Sequence, residues 1–318
     1  MTSPSDALQP YPWQLGQWQL LESMLSAEKM PHSLLLAGPS EIGKRHFARA
    51  FAQRMLCRSP DAGYGCGVCK ACHLMAAGTH PDWSVLEPEA VGKAIKIDAI
   101  RALESLAATT AQQSGWRIVL IQPAEAMNAN AANALLKTLE EPGAKTLLML
   151  VSHNTSGVLA TVRSRCRVMP FTVPSKSLVI PWLRHTVGAA EVAASTIAKG
   201  AGKPLRILRL LESDMLAQME NFETVLDAVA RGELSVVNAA ETSVQLPDSE
   251  AIEWLQNYLY RHLRDKRFTS LRRHRQAFIF LDRVTVAKRN LLSAANPNRQ
   301  LLWEELLLDW RQVASGGK

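Results

Sequence analysis

Gly38-Pro39-Ser40-Glu41-Ile42-Gly43-Lys44-Arg45 decides how this chain is interpreted, because it almost matches the phosphate-binding loop G-x-x-x-x-G-K-[ST]. In such loops the glycines let backbone N–H groups curl around a phosphate, the lysine reaches its outer oxygens, and the final hydroxyl holds Mg²⁺. Gly38, Gly43 and Lys44 are present. Arg45 replaces the hydroxyl residue, and a guanidinium is a permanent cation without an acceptor oxygen. The pattern predicts a loop that has kept its shape, lost its metal ligand and binds nucleotide weakly or not at all.

The loop lies between a predicted strand and a predicted helix, which is the order that a phosphate-binding loop requires. Ser33 to Ala37 is a short apolar run, and Phe47, Phe51 and Met55 recur every four residues, as on one face of a helix. A glycine-rich turn that never held phosphate remains the alternative. Further apolar runs, alternating with helical patterns, predict a parallel α/β sheet. These predicted strands cover 84–86, 117–121, 147–151 and 168–171.

The strand predicted at 117–121 ends where a nucleotide-hydrolysing protein would place an acidic residue to hold Mg²⁺. This chain has Gln122, which is neutral and replaces a carboxylate poorly. Glu125 lies further on and is either a displaced acid or an ordinary surface residue. Arg45 and Gln122 therefore both predict a loss of Mg²⁺ handling, which a working ATPase would need.

Four cysteines, spaced C-x8-C-x2-C-x2-C, predict a structural metal site. Pairs at x2 spacing let two thiolates converge on one tetrahedral ion, and four thiolates leave no open position for chemistry. We expect Zn²⁺, with iron–sulfur as the less favoured metal and reduced surface thiols as the bland alternative. His73 and His80 are possible substitutes that four cysteines make unnecessary. The predicted ligands are Cys57, Cys66, Cys69 and Cys72.

The pattern after Pro174 is helical to the end of the chain, with predicted breaks at glycines and prolines. The last predicted helix, 301–310, is apolar around most of its circumference, so it either runs through a bundle or contacts two neighbours. Within 261–275, seven Arg/Lys residues face one acidic residue, which gives this segment +6 of the chain's net +7. The segment either meets phosphate or an acidic partner, or is a solvated helix end.

Length and composition predict a multidomain globular protein. The chain has 318 residues, which exceeds one compact core, with 47% hydrophobic and 20% charged residues. Met1 to Gln14 lacks the pattern of a secretory signal, and no apolar run reaches the roughly 18 residues that span a bilayer. We expect a cytoplasmic protein without membrane contact, in which clustered cysteines bind metal rather than form disulfides.

Several motifs now stand together in order, and their combination resembles the bacterial DNA polymerase III clamp-loader subunits. The delta-prime type fits better than the gamma/tau motor type, because of Arg45 and Gln122. The specific motifs lie within residues 38–166, and the helical remainder agrees in length and character. They are the loop at 38–45, the cysteine insertion, His80-Pro81-Asp82, Leu-Leu-Lys-Thr-Leu-Glu-Glu-Pro at 135–142 and Ser164-Arg165-Cys166.

The resemblance implies an α/β parallel-sheet AAA+ domain at 1–170 with a zinc-module insertion at 57–72. It also implies a helical lid at 171–214 and an all-helical collar for oligomerisation at 215–318. Arg165 matches the arginine finger of this family, which reaches from one subunit to the γ-phosphate of ATP held by the next. A permanently charged, planar guanidinium suits that task. The alternative is a surface arginine between Arg163 and Arg167.

The implied function is that of a non-hydrolysing subunit in an ATP-driven complex that loads the sliding clamp on primed DNA. The implied partners are the gamma/tau and delta subunits, the sliding clamp and, through the assembled complex, primer-template DNA. ATP would be bound by the neighbouring subunit. The chain would be part of a DNA-directed DNA polymerase holoenzyme, a nucleotidyltransferase, with no intrinsic ATPase expected.

Two alternatives remain at this point. The chain is an active gamma/tau-like ATPase if Glu125 or water replaces the missing Mg²⁺ ligands, or a DNA-binding module that works through 261–275. Arg206 is a further candidate, as a sensor of nucleotide at the start of a lid helix, although the surrounding motif is shifted by one position.

Overall fold

The computed structural model describes residues 7–90, 92–107, 115–188, 193–265, 270–291 and 298–315. The chain divides into two compact units, of which the first comprises 1–192 with 202–206 and the second 193–201 with 207–318. Within the described ranges, every helix is too short or too polar to cross a membrane.

The first unit is built on a five-stranded parallel sheet. The strands are β1 (Ser33–Ala37), β2 (Trp83–Leu86), β3 (Arg117–Ile121), β4 (Thr146–Ser152) and β5 (Arg167–Pro170). Their order across the sheet is β2-β3-β4-β1-β5. The three central strands, β3, β4 and β1, are buried along their whole length, as expected for a parallel sheet covered on both faces.

Helices cover both faces of this sheet. Alternate residues of β1 point to opposite faces, so Leu34 and Leu36 join one apolar cluster and Leu35 joins the other. The helices of this unit are α1 (Leu15–Ser26), α2 (Lys44–Leu56), α3 (Lys70–Ala76), α4 (Ile97–Ala107), α5 (Ala129–Glu140), α6 (Ala160–Arg163) and α7 (Lys176–Val187).

The second unit is helical throughout its described residues. Its core contains Trp254, Trp303 and Trp310, all nearly inaccessible to solvent. The predicted last helix packs against α10, α11 and α13, which explains its broad apolar surface. The helices are α8 (Ala194–Lys199), α9 (Pro204–Glu212, which begins in the first unit), α10 (Met215–Arg231), α11 (Val236–Val244), α12 (Asp248–Arg264), α13 (Leu271–Leu291) and α14 (Arg299–Ser315).

The predicted α/β parallel-sheet fold followed by a helical region is confirmed. The predicted strand at 168–171 is observed one residue earlier, as Arg167–Pro170. The strand at 117–121 was predicted with its observed bounds.

Candidate functional site

Two glycines of the loop at 38–45, which joins β1 to α2, are required by local geometry. A Cβ on Gly38 would lie 1.9 Å from the carbonyl oxygen of Phe171, and Gly38 has φ +154°. At Gly43, with φ +88°, a Cβ would lie 2.4 Å from the ring of Tyr11. Any larger residue would collide at either position. The glycine pattern therefore follows from the backbone of this loop and its immediate neighbours.

The side chain of Lys44 points into the loop at 38–45. Its ammonium donates to the carbonyl oxygen of Gly38 at 2.6 Å and also to that of Pro39, and the residue is only 2% exposed. Burial lowers the pKa of Lys44 to about 8, which the Glu125 carboxylate opposes and the Lys203 ammonium reinforces. The ammonium thus already has acceptors within the loop.

Arg45 and Gln122, the two departures from an active nucleotide site, meet at one carboxylate. The guanidinium of Arg45 lies 2.6 Å from Oε1 of Glu87, and the side-chain amide of Gln122 donates to the same oxygen. A guanidinium, an amide and a shared carboxylate thus lie together where an active nucleotide site would have two Mg²⁺ ligands. Glu87 was missed from the sequence, although its place after β2, beside β3, puts it at the same sheet edge as Gln122.

Glu125 is engaged with the end of β4. Its Oε1 accepts hydrogen bonds from the backbone N–H groups of His153, at 2.8 Å, and Asn154, at 3.1 Å. Its Oε2 is buried and has no hydrogen-bond partner among the described residues. Burial lowers the pKa of His153, an effect that Lys44 reinforces and Glu125 opposes. Glu125 therefore anchors the strand end beside the loop.

An aromatic cluster covers the loop from the amino-terminal side. The indole N–H of Trp13 and the amide of Gln14 both donate to the carbonyl oxygen of Ile42, at 2.9 and 3.0 Å. The ring of Tyr11 stacks on Trp13, and Trp182 packs edge-on against both. The sequence reasoning missed this cluster, because its members are separated by up to 171 residues.

The segment 202–206 also contacts the loop. The ammonium of Lys203 donates to the hydroxyl of Ser40 at 3.1 Å and lies 3.9 Å from a carboxylate oxygen of Glu41. The backbone N–H of Leu205 donates to the carbonyl of Glu41 at 3.1 Å. Arg206, the candidate sensor, is 3% exposed and its role stays a prediction. The loop is thus held on two sides by its own chain.

A cavity of about 720 Å³ opens beside the loop. Arg45, Glu87 and Gln122 line one part of it, and Glu125 and His153 line another. It lies outside the carboxyl ends of β2 and β3, the edge at which parallel α/β sheets commonly bind ligands.

The four predicted metal ligands come together. Their Sγ atoms all lie within 4.8 Å of one another, and three of the separations are 3.5, 3.8 and 4.0 Å. A tetrahedral ion with metal–sulfur bonds of about 2.3 Å would have sulfur–sulfur edges of about 3.8 Å. All five cysteines of the chain are free thiols. Cys57, Cys66, Cys69 and Cys72 therefore form a possible metal site whose donor set fits zinc.

Arg165 lies in the turn between α6 and β5. Its Nε and Nη2 atoms contact Oε1 of Glu140 at 2.8 and 2.6 Å, and its Nη1 donates to the carbonyl of Thr161 at 3.1 Å. The hydroxyl of Ser33, the first residue of β1, donates to the carbonyl oxygen of Arg165 at 2.7 Å. Cys166 is buried, and burial raises the pKa of its thiol to about 11.

Arg165 and the loop at 38–45 lie at opposite ends of the sheet. The Ser33 contact fixes Arg165 at the amino end of β1, whereas the loop leaves the carboxyl end of the same strand. The four residue steps from Ser33 to Ala37 cover roughly 13 Å at about 3.3 Å each. The side chain is turned onto Glu140 and Thr161 rather than toward the loop. The two predicted site elements are therefore not parts of one pocket.

Only part of the basic segment 261–275 falls within the described residues, since Lys266 and Arg267 lie outside them. Arg261 pairs with Glu223, and Arg264 pairs with Asp265. Arg272 and Arg275 are exposed on α13. Part of the positive charge is thus neutralised within the second unit.

The fold and the loop at 38–45 define a parallel α/β protein with a P-loop-like turn between β1 and α2. Its fold is similar to that of a DNA polymerase III gamma subunit-related protein from Thermotoga maritima. The TM-score is 0.53 at 19% identity, over 94% of this chain and 99% of that chain.

Residues 13–175 match the family described as DNA polymerase III, delta subunit. The chain is 35% identical to the DNA polymerase III subunit delta' of Pseudomonas aeruginosa, over 96% of this chain and 99% of that protein. It is 32% identical to the subunit delta' of Escherichia coli, over 78% of this chain and 75% of that protein. This chain belongs to the family of DNA polymerase III delta' subunits. The predicted family, and with it the predicted clamp-loader role, is confirmed.

Proposed function

We propose that this chain is a non-hydrolysing clamp-loader subunit that supplies Arg165 to ATP bound by a neighbouring subunit. The observation that carries this proposal is the separation of Arg165 from the chain's own loop by the length of β1. Because Arg165 faces away from that loop, a phosphate that it contacts belongs to another chain. The side chain of Arg165 is 37% exposed, so an anion can approach it.

The contacts of the loop at 38–45 support the non-hydrolysing role. Lys44 donates to loop carbonyls, Lys203 binds Ser40, and Arg45 and Gln122 share Glu87. Nucleotide phosphates and Mg²⁺ would have to displace these contacts. The alternative is an active gamma/tau-like ATPase in which Glu125 is a displaced acid. We propose that it does not apply, because Oε1 of Glu125 already accepts hydrogen bonds from the two backbone N–H groups that follow β4.

The proposed partners are the gamma/tau and delta subunits, the sliding clamp and primer-template DNA, the last through the assembled complex. The proposed location is the cytoplasm. We further propose the three-domain division at 1–170, 171–214 and 215–318. The Cys57, Cys66, Cys69 and Cys72 site would hold one structural Zn²⁺, which fixes the insertion and supplies no chemistry, because four thiolates close its coordination.

An ATPase assay of the isolated chain tests the proposal against its alternative. We expect no steady ATP turnover, and the same background from wild type and Lys44→Ala. Steady turnover that Lys44→Ala abolishes would overturn the non-hydrolysing role. Reconstitution with gamma/tau and delta subunits then tests whether Arg165 serves the hydrolysing neighbour.

A further inference from the structure

The geometry points to Glu140 as a positioning residue that holds the Arg165 guanidinium ready for the neighbour's nucleotide. This inference rests on the proposed function of Arg165. Glu140 is the last residue of α5 and belongs to the Leu-Glu-Glu-Pro part of the motif at 135–142, which has no chemical role in the sequence analysis above. It adds a second residue, from a different element, to the site around Arg165.

The contacts of Arg165 involve all three nitrogens of its guanidinium. Nε and Nη2 both bind Oε1 of Glu140, and Nη1 donates to the carbonyl of Thr161. A guanidinium has five N–H donors in a fixed plane. Three of them are used in these contacts, which leaves one N–H on each terminal nitrogen. We infer that these two N–H groups form the outward fork that suits two oxygens of a phosphate.

Both ends of Arg165 are therefore fixed while its outer fork stays open. Ser33 binds its carbonyl oxygen from β1, and Glu140 and Thr161 hold its side chain from α5 and α6. The side chains of Arg165 and Glu140 are 37% and 52% exposed, so water surrounds the pair until a partner covers it. An arginine held in one orientation loses less rotational freedom when it binds an anion. Glu140 thus acts through Arg165 and does not touch the nucleotide.

Glu141 provides a matched control. It follows Glu140 directly, is also exposed and carries the same charge, but the guanidinium of Arg165 contacts Glu140. Glu140→Gln and Glu141→Gln remove the same charge from adjacent positions. A general electrostatic effect on the surface would therefore appear in both variants, whereas positioning of Arg165 would appear in one.

The test is the DNA-stimulated ATPase of the reconstituted clamp loader, with this chain as wild type, Glu140→Gln, Glu141→Gln, Arg165→Ala and the Glu140→Gln/Arg165→Ala double variant. We expect Glu140→Gln to lower the rate by about fivefold, the upper scale for loss of an exposed ion pair. Glu141→Gln should match wild type. In the Arg165→Ala background, Glu140→Gln should have no further effect, which a merely structural role would not produce.

The outcomes separate this inference from the proposed function. If Arg165→Ala leaves the rate unchanged, the proposed function itself fails. If Arg165→Ala lowers the rate but Glu140→Gln behaves like Glu141→Gln, only the role of Glu140 fails. A rate increase in Glu140→Gln would also overturn the inference, because Glu140 would then restrain Arg165 rather than present it. Equal further loss from Glu140→Gln with and without Arg165 would assign Glu140 to the fold.

Discussion

Glu87, Gln122 and Arg45 explain at the scale of single residues how this loop differs from an active nucleotide site. In an active site, a hydroxyl and a carboxylate would hold Mg²⁺ at these places. Here a cationic side chain and a neutral amide share the Glu87 carboxylate. The guanidinium of Arg45 therefore supplies part of the positive charge that Mg²⁺ would bring. The neighbouring Lys44 already donates to a carbonyl oxygen of the loop.

Lys44 gives a prediction about pH. Its pKa is about 8 in the folded chain, because burial disfavours the ammonium, against 10.5 for an exposed lysine. Above pH 8 the unfolded chain therefore binds more protons at this residue than the folded chain does, so the free energy of unfolding rises with pH. We expect this contribution to grow between about pH 8 and 10.5 and to be absent in Lys44→Met. Urea unfolding of wild type and Lys44→Met across this pH range measures the contribution. If the free energies of unfolding of the two proteins change with pH in parallel, the lowered pKa of Lys44 would be contradicted.

Gly38 gives a prediction about stability. Gly38→Ala places a Cβ 1.9 Å from the carbonyl oxygen of Phe171 and forces the backbone apart. Gly78→Ala is the control, because Gly78 also has a positive φ, +72°, but has open space around a Cβ. We expect Gly78→Ala to cost about 1 kcal/mol from backbone strain, and Gly38→Ala to cost at least about 2 kcal/mol more. Similar losses in the two variants, measured by chemical denaturation, would show that the loop is not tightly packed.

At the scale of elements, the features that could be predicted from the sequence are those that depend on a local pattern of residues. Continuous apolar runs predicted β1 and β3 with their observed bounds, and the cysteine spacing predicted the thiol cluster. Long-range contacts could not be predicted in this way. Trp182 contacts Tyr11 and Trp13, and Glu140 contacts Arg165, only because the tertiary fold brings these distant parts of the chain together.

The cysteine insertion gives a prediction for one element. Purified wild type should contain one Zn²⁺ per chain, and Cys72→Ser should lose it, because three thiolates and a hydroxyl hold zinc less well. Cys166→Ser is the control, since Cys166 is buried outside the cluster and should leave the zinc content unchanged. Elemental analysis decides between these results. Metal-free wild type would remove the zinc assignment, and zinc retained by Cys72→Ser would remove Cys72 from it.

At the scale of the whole molecule, the proposed function gives different tasks to the two ends of the sheet in the first unit. The loop at 38–45 lies at one end of the parallel sheet, where Trp13, Lys44 and Lys203 donate hydrogen bonds to its atoms. Arg165 lies at the other end, and its side chain is 37% exposed. Under the proposed function, a chain with this arrangement acts on nucleotide only as part of an assembly.

The most direct test of this account is the DNA-stimulated ATPase of the clamp loader reconstituted with Arg165→Ala. Arg163→Ala is the matched control, because it removes the same charge two residues away. The guanidinium of Arg163 contacts the carbonyl oxygen of Thr155 and not Glu140. Arginine fingers in other NTPases raise the rate of hydrolysis by about 10³- to 10⁵-fold at the nucleotide site that they contact. We therefore expect assembly to be unchanged and the rate to fall several-fold with Arg165→Ala but not with Arg163→Ala. Equal rates in the two variants would contradict the central claim that Arg165 serves a nucleotide on another chain.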